Sequence, residues 1–331
     1  MLTLLTGSVF AQEGNSIPPT YGQPPTPKVA AYVISALQHG DLETAAAMVG
    51  QYRRLYGDTP EALDAFSWLA RGELGAGNPQ QALRDAQEIE RVSQAALATR
   101  KLDAEPYLPL ALGAAYEVHA EALFQEHKQA EALQFLRAGL QRWRGTSLVD
   151  RLEKTINLLT LEGKPVPVLH EGEWIGSKPQ PQSSWRGKVV LLFFWAHWCA
   201  DCKAEEPILS SLAAEFGSKG LVVIAPTRLY GYTAQEEHAA PATELPFIKK
   251  VFEKYYSGIP HVQVPVDSTN FQRFGASTTP TIVLVDRQGI VRLYHPGAMA
   301  EGTLRGAVEK LLAGNTTLTE RANRSHVGDN F

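Results

Sequence analysis

The sequence predicts an all-helical domain followed by an α/β domain built around a buried sheet. Three observations carry this. The chain has 331 residues, enough for two domains of about 100–200 residues each. From Val29 to Leu161 the apolar residues recur at intervals of three and four, Ala and Leu dominate, and no β-branched run interrupts them, which is a helical pattern. Past Leu161 the pattern changes. Gly163-Lys164-Pro165-Val166-Pro167 breaks the helix, and a continuous apolar run, Lys188 to Trp195, leads into the only two cysteines of the chain, Cys199 and Cys202.

The composition excludes several classes. With 44% hydrophobic and 20% charged residues the chain is neither collagen-like nor disordered. A net charge of −4 argues against a nucleic-acid partner held by a basic surface. No uninterrupted apolar stretch reaches the roughly 18 residues of a membrane-spanning helix. Two cysteines are too few for a disulfide scaffold or a thiolate zinc site. A bridge between them closes a very short loop and does little to restrict the unfolded chain, so the pair points to redox chemistry, with no cofactor and no metal expected.

Leu2 to Phe10 is apolar, and residues 1–11 end in Val9-Phe10-Ala11. They read as the remnant of a secretory signal, hence an exported or periplasmic protein. No Lys or Arg precedes the apolar core, which a start codon placed too far downstream would explain; a disordered N-terminus and a cytoplasmic location are the other readings. Residues 12–28 hold five prolines and read as an extended linker. Within the helical domain, 29–161, turns fall at Gly40-Asp41, Gly57-Asp58-Thr59-Pro60 and Gly77-Asn78-Pro79. The segments from Gly40, Gly77 and His127 align weakly, each a turn followed by a helix with Ala at a fixed offset: Ala45, Ala82 and Ala132. They resemble a degenerate tetratricopeptide repeat, in which a small residue lets paired helices approach; a plain helical bundle is the alternative. The domain either docks a protein partner or dimer mate, or is a spacer that orients the second domain.

In the second domain, 162–312, the run KVVLLFFW suits a strand buried on both faces. It is followed by Ala196-His197-Trp198-Cys199-Ala200-Asp201-Cys202-Lys203-Ala204-Glu205-Glu206-Pro207, a helix from Ile208 to Phe216 and a second buried strand, Leu221 to Ala225. Strand, Cys-x-x-Cys, helix, strand is a specific context for a redox motif. At the first turn of a helix a cysteine meets unpaired backbone N–H groups and the positive end of the helix dipole, and both favour thiolate. Cys199 is therefore expected as the exposed attacking thiolate and Cys202, one turn on, as the more buried resolving thiol.

The segment FFWAHWCADCKAEEP resembles the thioredoxin active site and is similar, more narrowly, to the TlpA/ResA-like thiol–disulfide oxidoreductases of the redoxin class. The resemblance covers roughly Leu161 to Leu312. It implies a thioredoxin-like fold, a central mixed sheet flanked by helices. It also implies an enzyme that exchanges dithiols and disulfides with protein substrates and is served by an upstream electron donor. Within it Trp198 matches the tryptophan beside the active disulfide, Trp195 a structural tryptophan and Pro207 the helix-kinking proline. Glu205 matches the family's acidic residue and would accept a proton during resolution; a solvated helix glutamate is the other reading. Thr278-Thr279-Pro280 precedes an apolar run, and the family pattern makes Pro280 cis, facing the cysteines, with Thr279 offering its backbone to substrate. A turn at Asp286-Arg287-Gln288-Gly289, a return strand Ile290 to Tyr294, a closing helix Thr303 to Leu312 and a polar tail, 313–331, complete the reading. Between these lies an insertion, Arg228 to Asn270, with an amphipathic helix Phe247 to Tyr256 and a strand-like segment His261 to Asp267. Its first part either overhangs the cysteines or is a surface loop.

Three residues are candidates for tuning the couple: Ala200, Asp201 and His197. Asp201 stands where the family has proline. Its carboxylate opposes the thiolate, which makes the couple more reducing than with a neutral residue there. An imidazolium at His197 would offset it; a solvated loop histidine is the alternative. Two other functions compete. A peroxiredoxin shares the fold but places Thr three residues before its reactive cysteine, where this chain has Ala196. A helical binding scaffold with a redox-inactive second domain is opposed by the intact cysteine pair and Pro280.

Overall fold

The computed structural model describes residues 27–314 apart from 105, 171, 179 and 237. The expected leader at 1–11, nearly all of the 12–28 linker and the 313–331 tail beyond its first two residues lie outside the described residues. Seven helices form the first domain: α1 (Lys28–Gln38), α2 (Leu42–Tyr56), α3 (Pro60–Gly75), α4 (Pro79–Ala96), α5 (Leu108–Gln125), α6 (Gln129–Arg142) and α7 (Leu148–Thr160). Local chemistry sets their starts. Asp41 accepts the Thr44 N–H and Thr59 accepts the Ala62 N–H, which satisfies first-turn donors, and Pro60 pre-sets the first turn of α3.

Each helix packs on the next in sequence, and the odd-numbered helices also pack on one another, α1 on α3, α3 on α5, α5 on α7. That is a stack of helical hairpins. The three aligned segments share a conformation. Gly40, Gly77 and His127 all lie in the left-handed region, at φ +74°, +81° and +62°. A new helix starts two residues later in each, and Ala45, Ala82 and Ala132 are fully buried. Small residues let the helices close: a Cβ on Gly72 would meet Leu37, and one on Gly139 would meet Tyr116. Inside the stack, the Glu117 carboxylate of α5 takes Arg151 at 2.6 Å, Lys154 at 2.5 Å and Arg71 at 3.6 Å, tying α3, α5 and α7 through one buried anion.

The second domain runs β1 (Glu173–Gly176), β2 (Val189–Phe194), α8 (Ala200–Ala204), α9 (Glu206–Phe216), β3 (Leu221–Ile224), α10 (Pro241–Tyr255), β4 (Gln263–Val266), α11 (Ser268–Phe274), β5 (Thr281–Val285), β6 (Val291–Pro296) and α12 (Glu301–Leu312). The sheet order is β1-β4-β3-β2-β5-β6. β2, β3 and β4 are parallel, and β1, β5 and β6 run antiparallel to their neighbours. This is the mixed sheet of a thioredoxin-like fold. Every residue of β2 is buried, and alternation divides them. Val189, Leu191 and Phe193 face the core under α9, α10 and α12. Val190, Leu192 and Phe194 face Phe271, Phe274 and Tyr294, and with them Leu158 and Leu161 from the end of the helical domain.

The two domains therefore share a core. α7 lies on α11 and β6. Gly275, at φ +59°, sits so close beneath it that an ideal Cβ would be 2.6 Å from the Lys154 nitrogen. Arg228 reaches Asp150 of α7 at 4.0 Å. Two elements go beyond the sequence reading, β1 and α11, and α10 begins at Pro241 rather than Phe247. Pro246 lies inside α10, where it removes one backbone hydrogen bond to the preceding turn.

Candidate active site

The carboxyl end of β2 delivers the cysteines. Strand β2 stops at Phe194, and a turn through Ala196 and Trp198 brings Cys199 to the N-cap of α8, where its Sγ accepts the Cys202 backbone N–H at 3.0 Å. Cys199 and Cys202 form a disulfide, S–S 2.07 Å. Cys202 is fully buried. Cys199 is 3% exposed, so the expected exposed sulfur is corrected: it is a buried member of the apolar cluster under α9 and α10. Across the site its Sγ lies 3.5 Å from the Thr279 carbonyl oxygen, and the Thr279–Pro280 peptide bond is cis. The Thr279 hydroxyl is buried without a hydrogen-bond partner.

Ala200 and Asp201 are exposed beside the disulfide. Trp198 is half-buried, its ring edge-on to Tyr230 at 5.8 Å. Its indole N–H is buried without a hydrogen-bond partner. Trp195 is fully buried; its indole donates to the Ala225 carbonyl at 2.9 Å and its ring lies 4.5 Å from Tyr256.

Glu205 occupies the break between α8 and α9, with Pro207 in the first turn of α9. The reading of Glu205 as a solvated helix residue fails. It is buried, Oε1 accepts the Met299 N–H at 2.7 Å, and Oε2 has no partner. Burial raises its pKa, the Asp201 charge adds to this, and the Met299 N–H opposes it.

His197 is corrected on both readings. It is buried, ringed edge-on by Tyr230, Tyr232 and Phe247, with Nε2 3.4 Å from Glu244 Oε1. Burial, with the Lys203 charge adding to it, pushes its pKa down to about 4. It is neutral near pH 7 and cannot offset Asp201.

Sequence reasoning missed Glu244 and Tyr230. Glu244, fully buried in the first turn of α10, accepts the N–H groups of Tyr230 at 2.5 Å and Gly231 at 2.8 Å. Burial raises its pKa against the pull of these two bonds. The Tyr230 hydroxyl in turn donates to the Trp195 carbonyl at 3.1 Å. The first part of the insertion is thus packed beside Trp198 and is not a free surface loop. A Glu on the inward side of an amphipathic helix was the available signal, hidden because the polar stretch 229–244 reads as loop. Among the described residues no three metal-ligating side chains come together.

Comparison with known proteins places this site in a family context. Residues 175–294 match the AhpC/TSA family model. The thiol:disulfide interchange protein DsbE of Pseudomonas fluorescens biotype C is 28% identical over 139 residues, 42% of this chain and 68% of its own. The thioredoxin-like protein YneN of Bacillus subtilis is 26% identical over 140 residues, 42% of this chain and 74% of its own. The thiol-disulfide oxidoreductase ResA of Bacillus thuringiensis strain Al Hakam is 27% identical over 130 residues, 38% of this chain and 65% of its own. Among solved structures, a thiol-disulfide isomerase from Corynebacterium glutamicum aligns over 46% of this chain and 97% of its own, with 21% identity and a TM-score of 0.38.

Proposed function

We propose that the α/β domain, a redoxin-type domain homologous to the DsbE and ResA thiol–disulfide oxidoreductases, exchanges the Cys199–Cys202 disulfide or dithiol with protein substrates. The observation that supports this most is the Cys202 N–H aimed at the Cys199 sulfur at 3.0 Å. In the reduced protein the same donor, at the start of a helix, stabilises a thiolate on Cys199. That thiolate attacks one sulfur of a substrate disulfide, the other substrate sulfur leaves as thiolate, and a mixed disulfide forms on Cys199. Cys202 then loses its proton to Glu205 and attacks the Cys199 sulfur, which releases the second substrate thiolate. The substrate gains two electrons, the protein loses them, and an upstream dithiol donor restores the pair. The reverse sequence oxidises a substrate.

The Thr279 backbone and Trp198 flank the sulfur where substrate arrives, which supports their reading as substrate-binding residues. The chemistry needs no metal or cofactor. The relatives are thiol–disulfide exchange proteins, and an exported, periplasmic setting suits such chemistry. The stacked hairpins of the first domain, a tetratricopeptide-like arrangement, are read as a docking surface for a protein partner or a second copy. Peroxidase chemistry is disfavoured because Ala196 offers no hydroxyl to position a peroxide.

Trapping tests the proposal. Cys202→Ser should accumulate a mixed disulfide on Cys199 that mass spectrometry identifies, and Cys199→Ser should accumulate none. Absence of any adduct with Cys202→Ser, under conditions where the wild type turns over, overturns the role of Cys199.

A further inference from the structure

Glu244 presents an unusual expenditure of free energy. A buried carboxylate loses its hydration, and only well-made hydrogen bonds offset that cost. Here the groups that hold it are neutral. They are two consecutive backbone N–H groups, of Tyr230 and Gly231; the His197 ring nitrogen, 3.4 Å away, makes no hydrogen bond to it. The fold bears this cost to fix one short piece of chain. Gly231, at φ +84°, also accepts the Ala239 N–H at 2.7 Å, which closes the loop behind it.

The fixed piece lies beside Trp198, the residue before Cys199. Tyr230 donates its hydroxyl to the Trp195 carbonyl, which the Thr227 hydroxyl also holds at 2.8 Å. That carbonyl lies four positions before Cys199. The Tyr230 ring stands edge-on to both His197 and Trp198, at 5.4 and 5.8 Å. Leu229, next to it, is an exposed large apolar side chain. A chain segment that reaches Cys199 past Trp198 meets a wall already in place.

We propose that Glu244 is a positioning residue for the exchange reaction. It locks residues 229–231 as a preformed apolar wall beside Trp198, and this wall takes the apolar flank of the cysteine-bearing segment of a protein substrate. The inference rests on the oxidoreductase reading. A wall ordered in advance lowers the cost of binding and leaves the sulfur chemistry alone. Loss of the lock therefore falls on KM.

Glu244→Gln keeps the shape of the side chain and turns one acceptor into a donor facing an N–H. The assay compares two oxidants of the reduced protein. One is a peptide disulfide with leucine beside its cysteine, the other 5,5′-dithiobis(2-nitrobenzoate), and the couple is titrated against glutathione. The expected result is a KM for the peptide raised roughly tenfold, the loss of a hydrogen bond to a charged group, with kcat, the small-disulfide rate and the potential unchanged. An unchanged peptide KM overturns the proposal. A parallel fall in kcat and in the small-disulfide rate also overturns it, because Glu244 would then act on the cysteines or the fold. If the variant fails to fold by circular dichroism, Tyr230→Phe carries the test. It keeps the ring and removes the brace, with about a threefold rise in peptide KM expected and no rise overturning the proposal. If the wild type oxidises with neither disulfide, the oxidoreductase reading itself falls and this inference with it.

Discussion

Met299 and Glu205, 94 positions apart, meet in the buried layer beside the cysteines: the Met299 N–H donates to Glu205 Oε1 at 2.7 Å and leaves Oε2 without a partner. One half of the carboxylate is anchored, and the other is available to take a proton. Burial raises the pKa, so the protonated form is easier to reach than for a free glutamate.

Glu205→Gln should slow resolution of the mixed disulfide roughly 10- to 100-fold, the lower range for loss of a general acid or base. Oε1 keeps its bond to Met299, so the fold survives. The sign of the stability change follows from the raised pKa. The wild-type carboxyl is at its best below the ordinary value of 4.5 and loses stability as the pH rises through its folded pKa. The glutamine variant has no such loss. Denaturant melts should therefore favour the variant increasingly as the pH rises above about 4.5; a constant difference contradicts the assignment.

Much of this site was legible in the residues, and the gaps have physical causes. β2 was clear because a strand buried on both faces is an unbroken apolar run. Cys199 and Cys202 stood out as a spaced motif, and Thr279-Pro280 through the family resemblance. β1 was missed because it is a four-residue edge strand with three exposed positions, and α11 because seven residues give barely two turns. His197 and Glu244 were out of reach for another reason. Their burial is produced by the insertion folding over them, a tertiary effect that leaves no local period in the sequence.

Asp201 is exposed beside the disulfide. Its charge opposes the Cys199 thiolate, which destabilises the reduced form. Asp201→Asn should make the couple more oxidising by on the order of 10 mV, the scale of an exposed charge pair. Titration against glutathione measures it, and an equally or more reducing variant contradicts the sign.

Glu117 organises the helical domain. Burial alone would raise its pKa, but Arg151, Lys154 and Arg71 together hold it well below the usual carboxylate range. Its contribution is complete above the ordinary value of 4.5 and drains away as the pH falls toward its folded pKa. Glu117→Gln should cost about 3 kcal/mol near pH 7, since it leaves three half-buried cations without their counter-charge. The two proteins should converge in acid. Urea melts at pH 7 and pH 3 check this, and a difference that grows in acid contradicts it.

Gly275 fixes how the domains meet. A methyl group there would collide with the backbone of Glu153 and Lys154, in a conformation that side chains avoid. Gly275→Ala should destabilise by about 2 kcal/mol or more, from left-handed strain plus overpacking. Gly40→Ala, at φ +74° with open space around it, should lose only the strain. Equal melting shifts for the two variants would show that the contact with α7 does not hold.

The account depends on the Cys199 sulfur being an anion near neutral pH, and alkylation reads that directly. The reduced protein is treated with iodoacetamide across a pH series, and the modified position is identified by mass spectrometry. Cys199 should react first, with a midpoint below the roughly 8.5 of a free cysteine. A midpoint at or above that value, or prior modification of Cys202, would contradict it.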